Sequence, residues 1–219
     1  MIGYIFLVIF IFVSLADLYA VQKENKKIEL ITKPLLMPLL ILFYVLETPL
    51  LSINWFIVVG LAFGTLGDIF LMLDEKWFLH GMIAFLINQI SYIIAFFVMN
   101  TNILAFPSWG FTLFLPAAIL LYFILPKILD KTGDLKIPVI VYLIALVMMH
   151  FSATLTLSVL SGLSVVLIYL GSLLYVFSDS FVALDRFEKQ VPQASLIAMA
   201  TYILCQFYIT LGVFLITAP

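Results

Sequence analysis

Two carboxylates stand where an apolar chain has least use for them. Asp68 sits inside the run FGTLGDIFLML (63–73) and Asp179 inside YVFSDSFVALDRF (175–187). A charge near the middle of a bilayer costs at least about 2.5–3.5 kcal/mol on insertion scales, so such residues usually face a bundle interior and mark a functional site. Singly, each Asp is also readable as structural glue, paired with a lysine or capping a neighbouring helix. Two at one depth favour chemistry. Two carboxylates sharing a water-poor pocket do not both ionise readily, so one can hold a proton while its partner carries the charge. Glycoside hydrolases and aspartic proteases use this acid–base arrangement. It suits hydrolysis of a bond that needs a proton on one side and an activated water on the other. The sequence leaves open which Asp is the acid.

The neighbouring residues are consistent with such a pocket. Gly60, Gly64 and Gly67 share a side of the Asp68 helix and permit close packing. Ser178 and Ser180 flank Asp179, while Asn88, Tyr92, Tyr142, Tyr202 and Gln206 are candidate polar lining. For each of these an interhelical hydrogen bond is a commoner role than a catalytic one. Asp74, Asp185 and Arg186 fall at the membrane boundary, where a solvated side chain and a headgroup contact are about equally expected. His80 and His150 lie near opposite faces without ligand spacing, so no metal site is expected. There is no nucleophile elbow of the form G-x-S-x-G, no phosphate-binding glycine loop and no arrangement resembling a Ser–His–Asp triad.

These residues need a membrane scaffold to position them. The chain has 219 residues, of which 65 % are hydrophobic and 10 % charged, well outside soluble composition. A net charge of −2 gives no footing for nucleic acid, and the lone Cys205 excludes an internal disulfide. Eight segments have the roughly 17–25 apolar residues that a spanning helix needs. They are 2–21, 32–51, 53–73, 77–99, 103–125, 137–155, 160–181 and 195–218, with no room for a second domain in 1–219. The first begins at Met1 without a basic leader or cleavage site and is expected to be retained.

Lys23, Lys26, Lys27 and Lys33 lie between spans one and two, and Lys76 between three and four. Lys127, Lys131 and Lys136 lie between five and six, and Arg186 and Lys189 between seven and eight. The opposite loops carry no Lys or Arg. The positive-inside rule therefore puts the basic loops in the cytoplasm and both termini on the non-cytoplasmic side. Short loops and the lack of tails favour a bacterial inner membrane. On this topology Asp68 falls about six residues from the cytoplasmic end of its span, roughly 9 Å deep. Asp17, Lys33 and Asp179 fall at a similar level.

An internal repeat is also visible. GDIFLMLDEKW in span three answers SDSFVALDRFE in span seven, and KPLL at Lys33 answers KIPV at Lys136, both four spans apart. A parallel four-plus-four duplication would put Asp68 and Asp179 at equivalent positions facing a central cavity.

The motifs KPLLMPL, GTLGDIFLML, HGMIAFLINQISYIIAF, GSLLYVFSDSFVALDRF and TYILCQFYI, in this order over nearly the whole chain, resemble the lysoplasmalogenase (YhhN-like) family. The resemblance implies hydrolysis of the vinyl ether bond of lysoplasmalogens to a fatty aldehyde and a glycerophospho-alcohol, without a cofactor. It also implies Asp68 and Asp179 as the catalytic pair. Lys33 and Arg186 would then hold the phosphate of a lysophospholipid, with the alkenyl chain in an apolar slot. Two other readings compete. One is a proton-coupled carrier of a small molecule or lipid. The other is an intramembrane aspartyl protease, whose Gly-x-Gly-Asp signature meets Thr65, Leu66, Gly67 and Asp68 here.

Overall fold

The computed structural model describes residues 2–100, 102–188 and 192–217. It contains eight helices: α1 (Gly3–Gln22), α2 (Lys26–Glu47), α3 (Trp55–Met72), α4 (Phe78–Met99), α5 (Leu115–Leu129), α6 (Lys136–Leu155), α7 (Leu163–Ala183) and α8 (Ala194–Thr217). All eight, with their short flanking turns, are long and apolar enough to cross a bilayer. The chain is an integral, multi-pass, all-helical membrane protein. Lys189 and Ala218, which figure in the expected topology and the last span, lie outside the described residues.

Two boundaries differ most from expectation. The second helix starts at Lys26 rather than Thr32, because the Asn25 side chain accepts the Ile28 N–H and caps a polar first turn. Lys33 therefore sits almost two turns inside α2 instead of opening it. The fifth span does not begin as an α-helix at Ile103. Pro107 precedes a tight 3₁₀ segment, Ser108–Phe114, and α5 starts with Pro116 in its first turn, where a missing N–H costs nothing. Beyond α7 the chain continues as a π-helical turn, Leu184–Glu188.

Large apolar side chains such as Phe12 and Tyr122 are on the outside, 68 % and 75 % exposed, as lipid-facing residues should be. Polar residues such as Asp17, Asn88, Gln89 and Gln206 are fully buried. Lipid tails are as apolar as leucine, so helices in a bilayer associate through close packing and interhelical hydrogen bonds. The α7–α8 contact uses the first device. A Cβ on Gly171 would come within 3.0 Å of the Cys205 carbonyl and the Ile209 nitrogen, and one on Gly212 within 2.9 Å of the Ser164 carbonyl. At both glycines the partner helix presents its backbone together with an isoleucine side chain, Ile209 or Ile168, at 2.8 Å.

Helix neighbours repeat between the halves. The α2–α3, α3–α4 and α8–α2 contacts recur as α6–α7, α7–α8 and α4–α6. The outer helices break the pattern, since α1 packs chiefly on α2 whereas α5 packs on α7. Asp68 lies four residues before the end of α3, and Asp179 four before the end of α7. The two carboxylates thus occupy corresponding places in the two halves.

Because a Cβ at Gly171 would meet both the Ile209 side chain and the α8 backbone at 3.0 Å or less, Gly171→Ala is expected to destabilise the protein by about 1–3 kcal/mol. Thermal unfolding in detergent should show this as a lower midpoint.

Candidate active site

A cavity of about 430 Å³ lies between the helix ends on the face that carries the basic loops. Asp68 and Asp179 both line it, joined by Lys33, Tyr142, Arg186 and Tyr202. Its volume is within the roughly 300–1,000 Å³ typical of small-molecule sites. Most of the remaining wall is apolar, with Leu71, Phe85, Ile128 and Leu143 among the side chains that form it.

The two carboxylates have different surroundings. Asp179 is partly buried, and its Oδ2 accepts two hydrogen bonds, from the Tyr142 hydroxyl at 2.6 Å and from Gln89 Nε2 at 3.1 Å. Asp68 is 3 % exposed, and its Oδ2 has no hydrogen-bond partner among the described residues. The Tyr202 hydroxyl lies beside Asp68, outside good hydrogen-bonding geometry. One carboxylate is thus held by donors from two other helices, and the other is enclosed with an oxygen left free.

Glycines on α3 let the neighbouring helices approach this site. A Cβ on Gly64 would stand 3.0 Å from the Tyr202 hydroxyl and 3.4 Å from Asn88 Nδ2, and Gly60 and Gly67 face the Tyr92 and Phe85 rings. The shared glycine side expected of this helix is the one that meets α4 and α8.

The structure brings seven of the ten expected site residues to the cavity wall: Asp68, Asp179, Lys33, Tyr142, Ser178, Arg186 and Tyr202. The Ser178 hydroxyl is turned to the Ala198 carbonyl at 2.9 Å, and that of Ser180 bonds its own helix at the Val176 carbonyl. Neither serine bonds Asp179. Asn88, Tyr92 and Gln206 are buried outside the lining. Asn88 donates to the Gly60 carbonyl at 2.5 Å and accepts from the Tyr175 hydroxyl at 2.7 Å. Tyr92 donates to Gln206 Oε1 at 2.5 Å. These three join α3, α4, α7 and α8 behind the cavity.

Sequence reasoning missed Gln89, which supplies a donor to Asp179. It is the next residue after Asn88, and both side chains reach α7, Asn88 at Tyr175 and Gln89 at Asp179, so only the rotation of α4 decides which of them meets the carboxylate.

Both cations at the wall already have carboxylate neighbours. Lys33 Nζ is 3.2 Å from Glu29 Oε1, one turn earlier on α2. Arg186 Nη2 is 2.5 Å from Glu75 Oε1 and its guanidinium lies 4.6 Å from the centre of the Phe78 ring. Asp17 is fully buried next to this cluster and accepts a 2.6 Å hydrogen bond from the Thr32 hydroxyl.

The YhhN family model matches residues 28–213 of the chain. The chain is also 29 % identical over 160 residues to the Bos taurus protein named lysoplasmalogenase TMEM86A, an alignment covering 71 % of the chain and 64 % of that protein. The chain thus matches less than two thirds of the length of this relative. No solved structure matches the chain.

Replacing Asn88 by Leu would remove the interhelical donor to the Gly60 carbonyl, which keeps its own helical N–H, and would take the acceptor from the buried Tyr175 hydroxyl, at about 1–3 kcal/mol in total. The expected result is a lower unfolding midpoint in detergent, with the cavity wall unchanged.

Proposed function

The chain belongs to the YhhN family, and from that premise we propose that it is a membrane hydrolase cleaving the vinyl ether bond of lysoplasmalogens. The products are a fatty aldehyde and a glycerophospho-alcohol. The observation that supports this most directly is the pair Asp68 and Asp179 on the wall of one cavity, with two cations at its margin.

A vinyl ether hydrolyses in two stages. A proton adds to the alkene carbon remote from oxygen, leaving an oxocarbenium ion, and water then adds to that ion. The resulting hemiacetal loses the alcohol and becomes the aldehyde. The enzyme must therefore supply a proton where the chain is apolar, and then hold a negative charge near the cation that forms. Asp68 is assigned the first task. It is enclosed, lacks a donor to its Oδ2 and is suited to carrying a proton. Asp179 is assigned the second. Two donors converge on its Oδ2, which fixes the carboxylate and leaves Oδ1 to face the reacting carbon or direct the water.

Lys33 and Arg186 line the cavity with the two carboxylates, and both are proposed to take the phosphate of a lysophospholipid. The alkenyl chain would follow the apolar wall formed by residues such as Leu71, Phe85 and Leu143.

Asp68→Asn and Asp179→Asn should each reduce aldehyde release from a lysoplasmalogen by at least about a hundredfold. The measurement is mass spectrometry of the aldehyde formed by purified protein in detergent. Full activity in both variants would end the proposal. Detergent also separates a hydrolase, which turns over without a sealed membrane, from a carrier. Tyr142→Phe, which removes one donor to Asp179, should lower kcat about tenfold with little change in KM.

A further inference from the structure

We propose that Glu75 is a built-in competitor for the phosphate of the substrate, holding Arg186 by the same charge-assisted contact that a phosphate oxygen would make. The inference rests on the assignment of Arg186 to phosphate made above.

Arg186 belongs to the π-helical turn after α7, and Glu75 to the short turn Glu75–Trp77 between α3 and α4. The contact between them, 2.5 Å from Nη2 to Oε1, therefore ties the first half of the bundle to the second at the cavity margin. Phe78 and Phe187 also line the cavity there and meet edge to face, with ring centres 6.3 Å apart. The guanidinium rests on the Phe78 ring, which limits where its donors can point. Glu75 is fixed from its own side. Trp77, two residues on, stacks on Phe70 at 5.6 Å and lies 4.8 Å from the His80 ring, anchoring the turn that carries the carboxylate.

Exposure is unequal. The Glu75 side chain is 80 % exposed and that of Arg186 33 %. Glu75 does not line the cavity, whereas Arg186 does. A carboxylate thus reaches the guanidinium from the water side, and a phosphate would reach it from the cavity side. A planar guanidinium accepts either oxyanion. Both at once would place two anions on one cation, so phosphate binding weakens the Glu75 contact even if the donors are shared.

The three other ion pairs on this face do not have this geometry. Lys33 and Glu29 are one turn apart on a single helix, Lys76 and Asp74 flank Glu75 in its own turn, and Lys131 pairs with Glu188 within the second half. Of the four pairs, Arg186–Glu75 alone crosses between the halves. Asp185 also lines the cavity, so Glu75 is not the only negative charge near Arg186.

An exposed ion pair favours its closed form only about two- to fivefold. Apparent affinity falls with the fraction of sites left competent. Removing the competitor should therefore tighten phosphate binding by about three- to sixfold.

The test uses the full-length protein in detergent and two vinyl ethers, a lysoplasmenyl-ethanolamine and the corresponding 1-alkenylglycerol without phosphate. Glu75→Gln should lower KM about three- to sixfold for the first, with kcat unchanged, and leave KM for the second where it was. A second measurement needs no chemistry. A saturated 1-alkyl lysophosphoethanolamine, titrated by intrinsic tryptophan fluorescence, should bind Glu75→Gln more tightly by the same factor. Equal shifts on both vinyl ethers, or unchanged affinity for the alkyl lysophospholipid, would overturn the inference. Absence of aldehyde from every vinyl ether would instead overturn the hydrolase reading, and the titration would still decide the role of Glu75.

Discussion

Holding an acidic side chain inside a hydrocarbon slab is costly, and that cost explains most of the arrangement around the cavity. Asp68 and Asp179 are tolerated because both point into a shared space between helices and neither points at lipid. The same constraint governs the neutral polar residues. Asn88, Tyr92, Tyr175 and Gln206 have almost no contact with solvent, and each finds its partner on another helix. The hydrogen bonds that join the bundle and the groups that surround the carboxylates form one continuous polar interior.

The two acidic residues have similar depth and different company. Tyr142 and Gln89 come from α6 and α4 to meet Asp179, so this carboxylate is positioned by three helices at once. Asp68 is placed mainly by close approach, since glycines on its own helix admit Tyr202, Phe85 and Tyr92. Equivalent positions in two similar halves have thus acquired unlike surroundings. A symmetric pair would give two equal acids, and acid–base chemistry needs two unequal ones.

Much of this was legible in the sequence because lipid imposes a simple grammar. A spanning helix needs about twenty apolar residues, and eight such runs were countable. A lone Asp in such a run stands out, so Asp68 and Asp179 were found without structural information. What escaped depended on rotation and on chain geometry outside the bilayer. Asn88 and Gln89 are consecutive and polar, and nothing local says which one meets Asp179. The polar start of α2 looks like loop in the sequence because hydropathy registers lipid exposure, whereas helix formation there depends on the Asn25 cap. The start of the fifth span looks like α-helix in the sequence because its residues are apolar, yet the backbone from Ser108 to Phe114 is wound more tightly. The partner of Arg186 lies on a turn more than a hundred residues away, beyond the reach of any periodicity.

The crossed pattern of support has an architectural consequence. The α3–α4 hairpin carries Asp68 and also Gln89, which bonds the acid on the other hairpin. The α7–α8 hairpin carries Asp179 and also Tyr202, which stands beside the acid on the first. Each hairpin therefore contributes one carboxylate and furnishes part of the setting for the other. Prising the two apart would disturb both settings in a single motion, so the acidic pair is a property of the interface and resides in neither half alone.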